Sequence, residues 1–151
     1  MPIPPFDQAT GYLPPAAALY AASEAEIEVA FGGSNEPRRR LFGHLKRLIA
    51  AARRVGAVKL LVDGSFVTDK ERTHGNPPND IDCAIWLGPG FRDLIREADS
   101  DALFIVGLNA TNKLGPLDLH FAFARDEWES WAGFFSTDRQ KDPKGCVEVI
   151  L

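Results

Sequence analysis

Two apolar runs separated by a polar turn constrain this chain more than any other feature. The first, Val58 to Val62, ends in Asp63-Gly64-Ser65, and the second opens with Asp80-Ile81-Asp82 and continues to Leu87. Each is short, rich in branched apolar residues and bounded by turn formers, the pattern of a buried strand. Side chains alternate faces along a strand, so Asp80 and Asp82 point one way while Ile81 and Cys83 point into the core. Two carboxylates about 7 Å apart on one face can grip hard cations, since magnesium takes oxygen ligands and keeps water or phosphate oxygens beside them. Gly64 has no Cβ and lets the backbone approach a ligand closely, and Ser65 adds a hydroxyl. One half of the stretch suits phosphate and the other suits metal.

Gly64-Ser65, a spacer, then Asp80-x-Asp82 opening a strand resembles the signature of the polymerase-beta-like nucleotidyltransferase superfamily. The longer phrases Asp63-Gly-Ser-Phe-Val-Thr-Asp-Lys70, Asn79-Asp-Ile-Asp82 and Phe134-Phe-Ser-Thr-Asp-Arg139, with Lys144-Gly145, are similar to short bacterial nucleotidyltransferase-like proteins of uncharacterised function, the minimal nucleotidyltransferase type. The similarity runs from about Leu13 to the C-terminus. The interval between Gly-Ser and Asp-x-Asp is longer here than in many superfamily members.

The resemblance implies a third carboxylate on a later strand, and Gly115-Pro-Leu-Asp118-Leu-His-Phe-Ala-Phe123 offers Asp118. A charged residue inside an apolar strand also needs a partner, because unpaired burial is costly; metal ions would supply it, and the alternative is a structural Asp118 that accepts backbone hydrogen bonds. By resemblance, Asp80, Asp82 and Asp118 hold two divalent cations, magnesium or alternatively manganese, and Gly64 and Ser65 cradle the phosphates of an NTP with help from Lys70. Asp118 completes the metal site and helps an acceptor hydroxyl attack the α-phosphorus and displace pyrophosphate. The logic is a two-metal clamp on the attacking and leaving oxygens. The acceptor is expected on a protein or RNA partner, as in a bacterial toxin–antitoxin or phage-defence pair. The alternative is an antitoxin with this fold that masks its partner without catalysis.

At 151 residues the chain is expected to form one α+β domain, a mixed central sheet flanked by helices. Its two cysteines, Cys83 and Cys146, fall in expected strands and read as buried thiols of a cytoplasmic protein. No apolar run reaches the roughly 18 residues of a membrane span, and Met1-Pro-Ile-Pro-Pro-Phe-Asp has no basic n-region of a signal peptide. The net charge of −4 argues mildly against a general nucleic-acid binder.

Residues 1–15, with five prolines, are expected to form an arm on a domain spanning 16–151. Ser23 and Glu26 form a capping box for a helix that stops at Gly32-Gly33. A second helix has Asn35 as its cap, Pro37 in its first turn and Gly56 at its end, with Leu41, Leu45, Leu48, Ile49 and Ala52 on one apolar face. Its remaining surface carries Arg38, Arg39, Arg40, Lys46, Arg47, Arg53 and Arg54. These suit either contact with RNA or an acidic partner along 36–55, or plain solvation.

A short helix is expected to carry Lys70, which suits triphosphate, and His74 falls in an exposed loop. Phe91 to Ala98 reads as a helix, Leu103 to Val106 as a strand, and Asn109 to Lys113 as a polar loop. Asp118 and His120 share a strand face. Trp128, Trp131, Phe134 and Phe135 follow helical spacing, as a core stripe or as a base-stacking platform. Cys146 to Leu151 reads as the last strand. Lys144 either approaches phosphate or sits in a turn.

Overall fold

The computed structural model describes residues 2–111 and 115–151. Five strands form one mixed sheet in the order β1-β5-β2-β3-β4: β1 Tyr20–Ala22, β2 Lys59–Asp63, β3 Ile81–Trp86, β4 Leu117–Ala122 and β5 Val147–Val149. β1 runs parallel to β5 and β3 parallel to β4, while β2 is antiparallel to both of its neighbours. Among the described residues six α-helices accompany the sheet: α1 Glu24–Ile27, α2 Glu36–Arg54, α3 Lys70–His74, α4 Phe91–Arg96, α5 Ser100–Thr111 and α6 Arg125–Phe135. A π-helical turn, Glu28–Gly32, follows α1, and a 3₁₀ turn, Gly64–Val67, follows β2. The domain is α+β, as its sequence pattern implies.

The alternation of β2, β3 and β4 divides the core in two. Leu60, Val62, Ile81, Cys83, Ile85, Leu117 and Leu119 face α2 and α5 in the larger half. Leu61, Ala84 and Ala122 face α6 in the smaller half, with Trp128, Phe135 and Cys146. α2 folds as its pattern dictates. The Asn35 side chain accepts the Arg38 N–H at 3.0 Å, Pro37 fills the first turn, and Gly56 closes the helix at φ +70. Ser23 and Glu26 form their capping box. The N-terminal arm lies against the domain: Leu13 is buried, its carbonyl accepts the Gly145 N–H at 2.9 Å, and the Gly11 carbonyl accepts the Asp69 N–H at 2.8 Å.

Two local expectations fail at α5. Leu103 to Val106 is helical, inside α5, rather than a strand. The Asp99 carboxylate accepts the backbone N–H groups of Asp101 and Ala102, each at 3.0 Å, and starts a helix whose Ala102 and Ile105 are buried. Asn109 to Thr111 therefore end that helix instead of opening a polar loop, and residues 112–114 lie outside the described residues. The short strand β1 was not anticipated, because three residues leave no readable period.

Candidate active site

Asp63, Asp82 and Asp118 meet at one end of the sheet because strand register brings them there. Asp63 is the pairing partner of Asp82 across β2 and β3, and Asp82 is the partner of Asp118 across β3 and β4. All three belong to the face that α6 only partly covers. Asp80 stands just before β3 and shares the parity of Asp82.

The electrostatics follow from that crowding. Burial pushes the Asp82 carboxyl up to about 7, helped by the charges of Asp80, Asp118 and Asp63 and by a side-chain hydrogen bond with Asp118. Burial also raises Asp80, and Asp118 adds to the effect while Lys70 pulls it back. Lys70, half-buried at the start of α3, is thus close enough to Asp80 to be felt. His120 brings Nε2 within 3.5 Å of Asp118 Oδ1 and stacks on Trp131 at 4.3 Å between ring centroids.

Gly64 sits at φ +81, a left-handed conformation that favours glycine, and a Cβ there would collide with the Asp82 carboxylate. The 3₁₀ turn can start beside the acidic group only because this residue lacks a side chain. Ser65 follows in the turn, half-buried.

Asp63 has a different fate from its neighbours. Lys144, nine-tenths buried, donates to Asp63 Oδ1 at 2.6 Å, to Oδ2 at 2.5 Å and to the Phe135 carbonyl at 2.9 Å. Burial raises Asp63 to about 6 while Lys144 pulls it down. With its three donors engaged, Lys144 is a strut that ties the segment before the last strand to β2 and to the end of α6. No spacing rule in the sequence links it to Asp63, 81 residues away.

The basic face of α2 is also redistributed. Arg38 is buried, and its five N–H groups go to Glu71 Oε2 (2.6 Å) and Oε1 (2.9 Å) and to the carbonyls of Phe31 (3.1 Å), Phe66 (2.6 Å) and Thr68 (2.7 Å). It belongs to the interior and pins the turn that follows Gly64. Arg39 pairs with Glu36, Arg53 with Glu24, Arg54 with Asp101, and Arg47 lies over the Phe104 ring. Arg40 and Lys46 stay exposed. Arg40 and His44 line a cleft of about 330 Å³ with Asn79 and Pro116, the residues just ahead of Asp80 and β4. His74 is exposed in α3.

Both cysteines are buried and free, with burial holding the Cys83 thiol well above its ordinary range and pushing Cys146 up to about 12. No helix among the described residues is long and apolar enough to cross a membrane.

The donor set is all oxygen, the chemistry of a hard cation. Among the described residues no three His, Cys, Asp or Glu side chains already surround a point where a metal ion would sit. The Asp82–Asp118 pair, adjacent across β3 and β4, is the part that suits one magnesium ion, which takes one or two carboxylates and completes its shell from substrate phosphate and water.

Fold and site define the class: an α+β domain that gathers aspartates at one end of a mixed sheet, beside a glycine turn. Within that class the chain belongs to a family of unknown function (DUF6932), whose model matches residues 4–150. No curated protein and no solved structure matches it.

Proposed function

We propose that the chain is a metal-dependent nucleotidyltransferase that moves an NMP from an NTP to a hydroxyl of a protein or RNA partner, as in a toxin–antitoxin or phage-defence pair. The observation that carries this reading is the register pair Asp82–Asp118 packed against the left-handed Gly64 turn. Asp82 and Asp118, with Asp80 at the strand entrance, are the residues that would hold magnesium. When bound, magnesium would screen the phosphate charge and stabilise the charge that develops in transfer. The backbone of Gly64 and Ser65 and the Lys70 ammonium orient the phosphates. Asp118 accepts the proton of the attacking hydroxyl at a carboxylate oxygen.

The test separates binding from transfer. Asp118→Asn keeps the side-chain shape, so the variant is expected to fold, and Asp80 and Asp82 with the Gly64-Ser65 turn should still hold Mg²⁺–NTP. Transfer of labelled nucleotide should fall about 10²–10⁴-fold, the usual worth of general-base assistance. Transfer at the wild-type rate overturns the catalytic role.

A second reading is a partner-masking protein with this fold and no chemistry. That reading requires wild type and Asp118→Asn to neutralise the partner equally, with no label transferred by either.

A further inference from the structure

The aromatic row of α6 is only partly explained by packing. Trp128 and Phe135 are buried, Trp131 is half-buried, and Phe134 is 60% exposed. A single exposed apolar side chain is ordinary. The position of Phe134 is less ordinary, because it ends a chain of rings that begins at the acidic group. His120 lies 3.5 Å from Asp118 and stacks on Trp131, and Trp131 meets Phe134 edge-on with centroids 5.9 Å apart.

The row is held firmly. Trp131 Nε1 donates to the Phe121 carbonyl at 3.2 Å. Phe135 sits 5.2 Å from Phe134 and 5.9 Å from His120, and its carbonyl accepts from Lys144, the residue that also grips Asp63. The C-terminal end of α6 is therefore tied to the acidic end of the sheet, and Phe134 is presented on it.

A nucleoside triphosphate has two ends of unlike chemistry, a polyanion and a planar ring, with a sugar between them. This end of the sheet offers a match for each: carboxylates for a cation that carries the polyanion, and an exposed aromatic a few ring widths away. We propose that Phe134, backed by Trp131, is the platform on which the base of the bound nucleotide stacks. The inference rests on the metal–phosphate reading above and extends it to the other end of the substrate. Stacking tolerates any base because every base has a π face. Larger purine rings gain more contact, so the site should favour ATP and GTP modestly over CTP and UTP.

The experiment compares two ligands that differ in the base. Wild type, Phe134→Ala and Phe134→Tyr are titrated with Mg²⁺–ATP and with Mg²⁺–tripolyphosphate, folding being checked by circular dichroism. Phe134→Ala should weaken Mg²⁺–ATP about 5- to 150-fold, the loss expected of one base–aromatic stack, and leave Mg²⁺–tripolyphosphate unchanged. Phe134→Tyr should bind ATP as wild type does. Unchanged ATP affinity in Phe134→Ala overturns the platform, and so does an equal loss of both ligands, which would mark a structural role. A change in sedimentation alone would reassign Phe134 to a protein contact and also refute it. Wild type binding both ligands equally sinks the platform and spares the metal–phosphate site, whereas wild type binding neither sinks both.

Discussion

Two groups of charge lie on either side of the turn after β2, and they are built on opposite terms. Arg38 and Glu71 are complementary: the guanidinium has five acceptors, Asn35 adds a donor to Glu71 at 2.6 Å, and Arg38 holds the Glu71 carboxyl down to about 2. Asp80, Asp82 and Asp118 are alike in charge and crowd one another, which helps burial push Asp82 up to about 7. Asp63 stands between the two cases, adjacent to the acidic group and neutralised by Lys144. Buried charge that serves the fold finds its counter-charge inside the chain. The acidic group instead sets three carboxylates side by side, with Lys70 pulling on Asp80 and His120 beside Asp118, and a cation from outside would complement it. Each perturbation below breaks or sharpens that contrast.

The largest effect should come from Arg38. Arg38→Met removes the counter-charge of Glu71 and leaves the Phe31, Phe66 and Thr68 carbonyls short of donors. Breaking a buried ion pair from one side costs about 3–5 kcal/mol, so the melting temperature should fall by roughly 6–20 °C. A loss within 1 °C would show that Arg38 is as dispensable as an exposed arginine.

Gly64→Ala tests the acidic side. The left-handed backbone costs about 1–3 kcal/mol for a residue with a Cβ, and that Cβ must displace the Asp82 carboxylate. Stability should drop by about that amount, and affinity for Mg²⁺–ATP should drop further than stability alone explains. Calorimetric binding equal to wild type would disconnect the turn from the acidic pair.

These two residues also show what the sequence made readable. Asp80 and Asp82 could be placed on one face because strand alternation is a local rule, and Asp118 because its own strand repeats that rule. Arg38 was readable too and was misassigned. It precedes Leu41, Leu45 and Leu48 at helical spacing, so it belongs to the buried stripe, and the run Arg38-Arg39-Arg40 disguised it as surface charge. Lys144 was not readable. Its pairing with Asp63 depends on how β5 enters the sheet between β1 and β2, a tertiary fact with no local signature. The strand expected at Leu103 to Val106 failed because a short apolar run fits a buried helix equally well, and the Asp99 cap was the overlooked cue.

A smaller effect, of opposite sign to the first two, is expected from Asp82→Asn. In EDTA at pH 8 it relieves the repulsion around the acidic group. The gain should be about 1–2 kcal/mol after allowing for the solvent that reaches the site, or roughly 2–8 °C in melting temperature. The same variant should lose the stabilisation that Mg²⁺ gives wild type. Destabilisation in EDTA would mean that Asp82 is a structural carboxylate after all.

The smallest effect is the most direct contrast, because pH moves the two groups in opposite directions. Glu71 has a folded pKa depressed to about 2, so its contribution is present above its unfolded value, about 4.5, and is lost as pH falls toward 2. Asp82 has a folded pKa raised to about 7, so its contribution is present below about 4 and is lost as pH rises through 7. Asp63, raised to about 6, adds to the same alkaline limb. Without divalent metal, stability should therefore peak near pH 4, where the Glu71 gain is nearly complete and the Asp82 and Asp63 losses begin, and decline on both sides. The two flanks should be separable by mutation. Asp82→Asn should flatten the decline between about pH 4 and 7, leaving the part due to Asp63, and should not touch the acid limb. Glu71→Gln should flatten the acid limb only. Magnesium should restore stability at pH 8 in wild type, since a cation supplies the counter-charge that protonation supplies at pH 5. Urea titrations across pH 3–9 with EDTA, repeated with Mg²⁺ at pH 8, measure all of this. An alkaline decline that Asp82→Asn leaves intact would place the repulsion elsewhere and remove the electrostatic reason for expecting a cation between Asp82 and Asp118.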